Sequence, residues 1–170
     1  LQLERGLTVH GVDNLARPGS EVNRRLVQDL GVRFRHGDLR SASDLESFPR
    51  VDWVIDAAAV TEVMAGVDSR TSSQQLVEHN LLGTVNLLEF CKKHGAGLIL
   101  LSTSRVYSVA ALAGLPVTER AGAFALKKAP LPPGVSPDGV SEGFSVSPPV
   151  SLYGATKLCM EKLFIQGNSY

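Results

Sequence analysis

Apolar and polar positions alternate in short runs separated by helical stretches. Leu7 to Asp13 is a β-rich run ending in an acid, and Glu21 to Leu30 carries helical spacing. The same pair recurs: Val32 to His36 predicts a strand, Ala42 to Phe48 a short helix, Val51 to Ala57 a buried strand, and Ser73 to His94 a long helix. Thr71, Ser72 and Ser73 offer capping hydroxyls at the start of the long helix, and Lys92, Lys93 and His94 precede Gly95 at its end. Its expected apolar stripe is Leu76, Leu81, Val85, Leu88 and Phe90. Gly97 to Ser102 then reads as a central strand covered on both faces. Strand–helix alternation predicts an α/β fold with a doubly wound parallel sheet of the Rossmann type, here incomplete.

From Ser108 to Pro149 the composition shifts to Pro and Gly, so residues 108–150 form an insertion through which no core strand runs, either a lid or a mobile loop. Ser151 opens a final helix, Leu152 to Gln166, which Gly167 is placed to end. Leu1 to Gly6 has the character of a helix tail. Residues 1–170 make one partial dinucleotide-binding domain, and no repeat is present.

Charge and composition then narrow the partners. Hydrophobic residues make up 44% and charged residues 20%, ordinary for a globular chain, and 17 basic residues balance 17 acidic ones. With no net positive field, nucleic acid and anionic membrane surfaces are not expected partners. Cys91 and Cys159 fall in helical segments, which suggests neither a disulfide framework nor a metal site and fits a reducing, cytoplasmic setting. No stretch approaches the length of a membrane span.

The most informative spacing is Tyr153-Gly154-Ala155-Thr156-Lys157, which puts a phenol and an ammonium on one helix face. A free tyrosine titrates near ~10, so its use as a base at neutral pH requires a cation beside it. The bland alternative is an amphipathic helix with a packed Tyr and an exposed Lys. Weight against it comes from Ser102-Thr103-Ser104-Arg105-Val106-Tyr107, a hydroxyl cluster at the carboxyl end of an apolar strand, where ligands of such sheets bind.

Taken together these residues resemble the extended short-chain dehydrogenase/reductases, the NAD-dependent epimerase/dehydratase family. The resemblance implies catalysis by Thr103, Tyr153 and Lys157, with Tyr153 and Lys157 also touching cofactor, and NAD as that cofactor. Asp13-Asn14-Leu15 resembles the family's D-N-L, whose carboxylate binds the adenosine ribose and disfavours a 2′-phosphate. Gly37-Asp38-Leu39 resembles the segment that meets adenine, and Ala57-Ala58-Ala59 the small-residue segment that lets backbone approach the cofactor. Asn80 matches an Asn that steadies the site, while Asp56 stands where the family often has His. The family's G-x-x-G-x-x-G turn, whose amides cradle the pyrophosphate, and its substrate lobe are not in the chain. By itself the chain is therefore expected to bind NAD weakly and to be inactive.

Dehydratases of the family carry an Asp-Glu pair after the threonine, and Ser104 and Arg105 supply no carboxylate there. That pair and the insertion resemble the CDP-paratose 2-epimerase branch. The implied substrate is a nucleoside-diphosphate sugar, oxidised with Tyr153 taking the hydroxyl proton and NAD the hydride, then re-reduced on the opposite face. A homodimer is the expected assembly of the complete protein. A net sugar-nucleotide dehydrogenase or reductase, or a non-catalytic dinucleotide-binding module, are the other readings these residues allow.

Overall fold

The computed structural model of the chain describes residues 5–65, 72–148 and 150–167, so most of the expected Leu1–Gly6 helix tail, together with Thr71 and Pro149, lies outside the described residues. Strands β1 (His10–Asp13) and β2 (Arg33–His36) pair parallel, with Asp13 opposite His36. Strands β3 (Trp53–Asp56) and β4 (Gly97–Leu100) also pair parallel, with Asp56 opposite Leu100. Helix α1 (Ser20–Asp29) connects the first pair, and α2 (Ala42–Glu46) follows β2. The architecture is α/β with parallel sheet pieces, a Rossmann-type sheet in incomplete form, and the two pairs are not hydrogen-bonded to each other among the described residues. Within each pair the carboxyl ends of the strands lie side by side, which gathers the loops after the strands where this architecture binds ligands.

The long helix forms where its sequence predicts, but as three parts: α3 (Ser73–Val77), a π-helical turn (Glu78–Leu82) and α4 (Gly83–His94). Ser72 caps it with a reciprocal box, its Oγ accepting from Gln75 N at 3.0 Å while Gln75 Oε1 accepts from Ser72 N at 3.3 Å. Gly95 ends it in the left-handed region at φ 65°. Its buried face differs from the expected stripe: Leu76, Asn80, Gly83, Thr84, Leu87, Phe90 and Cys91 turn inward, and Val85 is exposed.

Leu45, Leu87, Phe90 and Cys91 form the main core, against which Leu39, Val54 and Leu98 pack. Because Leu39 follows β2 while Val54 and Leu98 lie in β3 and β4, α4 ties the two strand pairs together. Asn86 Nδ2 adds a 2.8 Å bond to Leu39 O. The other face of β3–β4 is open, with Trp53 67%, Ile55 60%, Ile99 46% and Leu101 46% exposed. The expected cover on both faces of β4 is therefore not present among the described residues: the core side chains of α2 and α4 reach Val54 and Leu98, on one face only.

Residues 108–148 are built rather than bare loop. They hold α5 (Val109–Ala113), an antiparallel hairpin β5 (Val117–Arg120) and β6 (Ala123–Leu126), and a short hairpin β7 (Val135–Ser136) and β8 (Gly139–Val140). Each hairpin is a separate two-stranded sheet, not paired with β1–β4. Ala121 and Gly122, both at positive φ, make the β5–β6 turn. The base is pinned by a 2.8 Å bond from Ser108 N to Ser145 O and by buried Phe144, whose ring meets Tyr107 edge-on at 5.7 Å. Gly134, at φ +81°, lies so close to Phe144 that a Cβ would stand 2.6 Å from its backbone. Gly134→Val is expected to loosen this base alone: amide exchange at Ser108 and Ser141 accelerates by on the order of tenfold or more while α4 keeps its protection, as measured by hydrogen exchange.

Candidate functional site

The site is assembled from two pieces far apart in sequence. After β4 the chain passes Ser102 and Thr103 into a 3-10 turn, Ser104–Val106, capped by Thr103 Oγ1 accepting from Arg105 N at 3.2 Å. The last helix, α6 (Leu152–Gly167), starts at Ser151, whose Oγ accepts from Gly154 N at 3.0 Å. Tyr153, Gly154, Thr156, Lys157 and Met160 make up its buried stripe. Gly154 allows the close approach, since a Cβ there would fall 2.1 Å from Arg105 O. The helix carrying Tyr153 and Lys157 is thus pressed onto the turn that Thr103 caps.

Lys157 is not the exposed residue of an ordinary amphipathic helix. It is 3% exposed, and its Nζ donates to Leu101 O at 3.0 Å, which anchors the ammonium at the carboxyl end of β4. Tyr153, 8% exposed, lies on the same face in a cluster with Ala65 and Leu76, beside Ala59 and Val60. Burial pushes the Lys157 ammonium below its ordinary range, and the negative charges of Asp56 and Glu161 oppose that. Burial likewise pushes the Asp56 carboxyl up, against the Ala58 amide, the Lys157 charge and the Thr84 hydroxyl. Glu161, one turn beyond Lys157, accepts a short hydrogen bond from Ser102 Oγ.

Asn80 locks the pieces together. Its Oδ1 accepts from Val60 N at 2.8 Å, and its Nδ2 donates to Val60 O at 3.1 Å and to Thr156 Oγ1 at 3.0 Å. One side chain in the π-helical turn therefore fixes both the segment after β3 and the middle of α6. Irregular helical turns of this kind concentrate at functional sites.

The other predicted residues lie at the first strand pair and at the end of β3. Asp13, exposed at the end of β1, accepts from Leu15 N at 2.6 Å, and Leu15 itself sits at φ 55°, a left-handed conformation uncommon for Leu. Asn14 Nδ2 donates to Asp38 Oδ2 at 3.1 Å, joining the ends of β1 and β2. Asp38 also receives the Arg40 guanidinium, with Nη2 at 2.7 Å, and this partner holds its carboxyl well below the usual carboxylate range. Leu39 is packed under Gly83, whose Cβ would stand 3.2 Å from Leu39 Cβ. Ala57 and Ala58 are exposed at the end of β3, with only small side chains over the backbone. The ends of β1, β2 and β3 thus carry two carboxylates and a stretch of exposed backbone with only small side chains over it.

Comparison with known proteins bears on what this geometry serves. Residues 2–168 match the NAD dependent epimerase/dehydratase family. The chain belongs to that family. A UDP-glucose 4-epimerase of Pisum sativum is 31% identical over 111 residues, covering 60% of this chain and 31% of its own length. Among solved structures, a Thermus thermophilus UDP-glucose 4-epimerase in complex with NAD is 28% identical with a TM-score of 0.64, covering 99% of this chain and 46% of its own. A Campylobacter jejuni UDP-Glc/GlcNAc 4-epimerase shares the fold at 21% identity and a TM-score of 0.67, over 94% of this chain and 41% of its own. The chain thus spans a third to a half of the length of these relatives. Family membership makes NAD the cofactor in question.

Sequence reasoning singled out Tyr153, Lys157, Thr103 and Asn80 but missed Thr84, Thr156, Gly154 and Arg40. Gly154 carried a signal, because a glycine inside a helix costs about 1 kcal/mol against Ala and calls for a packing reason. Thr84 and Thr156 carried none, since their roles lie in partners distant along the chain. Among the described residues no group of His, Cys, Asp and Glu could hold a metal ion, and no helix is long and apolar enough to cross a membrane.

Proposed function

We propose that the protein epimerises a nucleoside-diphosphate sugar by transient oxidation, with Tyr153 as the acid–base residue, Thr103 as hydroxyl partner and Lys157 as the supporting cation. The observation that carries this is the burial of Tyr153 and Lys157 on one face of α6, with the ammonium tethered to Leu101 O two residues before Thr103. Asp13, Asn14, Asp38, Leu39, Ala57, Ala58, Ala59 and Asn80 line or steady the cofactor side. When bound, NAD supplies a reversible two-electron acceptor. Tyr153 takes the proton of the sugar hydroxyl and later returns it, and Thr103 hydrogen-bonds the same oxygen. The Lys157 ammonium stabilises negative charge on the Tyr153 oxygen and has further donors free to hold a ribose.

Ser104 and Arg105 provide no carboxylate for water elimination, so epimerisation is favoured over dehydration. Together with the insertion they place the protein, in this proposal, in the branch resembling CDP-paratose 2-epimerases, whereas the curated relatives carry the names of UDP-sugar 4-epimerases. Cys91 and Cys159 are unpaired, in keeping with action in the cytoplasm.

The test is turnover of CDP- and UDP-sugars by the complete protein, followed by NMR of the sugar ring. Isomer formation without net NADH absorbance is expected, with a fall of about 10²–10⁴ in kcat for Tyr153→Phe. Normal turnover in that variant removes the assignment, and stoichiometric NADH replaces epimerase with dehydrogenase.

A further inference from the structure

Asp56 is the buried carboxylate and Lys157 the buried ammonium of the described residues, each 3% exposed. Leu101 joins them: its amide donates to Asp56 O at 3.0 Å, and its carbonyl accepts from Lys157 Nζ at 3.0 Å. The Asp56 carboxylate is fixed from two sides, with Oδ1 accepting from Ala58 N at 3.1 Å and Oδ2 from Thr84 Oγ1 at 3.3 Å. It therefore stands still at the carboxyl end of β3, between the segment offered to the cofactor and the helix α4.

An ammonium at this depth is costly unless an opposite charge shares its surroundings. The charged and polar groups around Lys157 come from several elements. From β3 there is Asp56, and from α6 itself Glu161, with Tyr153 in the same buried stripe. On α4 the Thr84 hydroxyl bonds the Asp56 carboxylate, and burial, then the Asp56 charge, push the Cys91 thiol up. From the end of β4 comes the Leu101 carbonyl, while Arg105 in the 3-10 turn is exposed. Glu161 reaches Ser102 at the exposed end of this set, where solvent and salt screen it. Asp56, 3% exposed against half-buried Glu161, is the anion that screening reaches least.

We propose that Asp56 is the fixed counter-charge of Lys157, a positioning residue that keeps the ammonium charged in its buried seat and serves the reaction through it. This rests on the reading of Lys157 given under Proposed function, yet it can be tested apart from turnover. In protein labelled with 13Cε-lysine, the Lys157 signal is assigned by its loss in Lys157→Arg and titrated in wild type, Asp56→Asn and Asp56→Glu. An opposite charge within about 4–6 Å of an ionisable group is worth about one to three pH units. The proton affinity of Lys157 is expected to fall at least tenfold in Asp56→Asn and to be largely restored in Asp56→Glu. Asparagine keeps the shape and the bond from Ala58, so a purely structural role for Asp56 leaves the Lys157 midpoint where it is, and that result overturns the proposal.

If Asp56→Asn does not fold, the reciprocal measurement decides. The 13Cγ midpoint of Asp56 must rise by a unit or more in Lys157→Met, and an unmoved midpoint is equally fatal. In the complete enzyme the alkaline limb of the kcat profile moves down with the Lys157 midpoint. A tenfold fall in proton affinity with an unmoved limb sinks the catalytic reading of Lys157 and leaves its pairing with Asp56 standing.

Discussion

Asn80→Asp is expected to destabilise the protein by on the order of 3 kcal/mol or more, the largest loss among single isosteric changes at the site. The wild-type amide uses both ends, accepting from Val60 N and donating to Val60 O and Thr156 Oγ1, and it is 1% exposed. A carboxylate keeps the bond from Val60 N but loses both donors and turns an oxygen towards the Val60 carbonyl. The residue must then hold an uncompensated buried charge or take up a proton, and either route costs free energy that the amide does not. Chemical denaturation at pH 7 measures the loss. Because protonation relieves the charge, the deficit shrinks as the pH is lowered, and a deficit that is small and independent of pH contradicts the burial of this side chain. Where the variant still folds, kcat falls as well, since the same side chain holds Thr156 between Tyr153 and Lys157.

Much of this arrangement is legible in the chain, and the boundary of what is legible has a physical cause. Four parallel strands and their helices follow from local periodicity, and Gly95 marks the end of α4 because only that position needs a left-handed residue. The Tyr153 and Lys157 pair is visible because a helix converts a spacing of four into proximity. The buried stripe of the long helix is misplaced where hydrophobicity is the only guide: Asn80 and Thr84 are buried for their hydrogen-bond partners, so the phase that puts Val85 inward is wrong. The hairpin strands β5 and β6 escape a pattern search because both are largely exposed and turn no apolar face to the core. Asp56 gives no local sign of its burial, because the Thr84 hydroxyl that meets its carboxylate is supplied by α4 only once the chain has folded.

Gly154→Ala is the second large effect, and its sign is the informative part. On a free helix the change stabilises by about 1 kcal/mol, since glycine is the poorer helix former. Here the added Cβ would stand 2.1 Å from Arg105 O and 2.9 Å from Arg105 C, both backbone atoms of a turn whose Val106 is buried. No side chain can swing away to relieve the contact, so α6 and the turn must separate, and overpacking of this kind costs about 1–3 kcal/mol or more. A net destabilisation of about 2 kcal/mol is expected on thermal or urea unfolding despite the gain in helix propensity. The separation also carries Tyr153 and Lys157 away from the strand end that bears Thr103, and a displacement of about 1 Å at reacting groups costs on the order of 10²-fold in rate. A variant that melts higher than wild type and turns over normally would mean that helix and turn are not in contact, and the site as assembled from β4 and α6 would have to be abandoned.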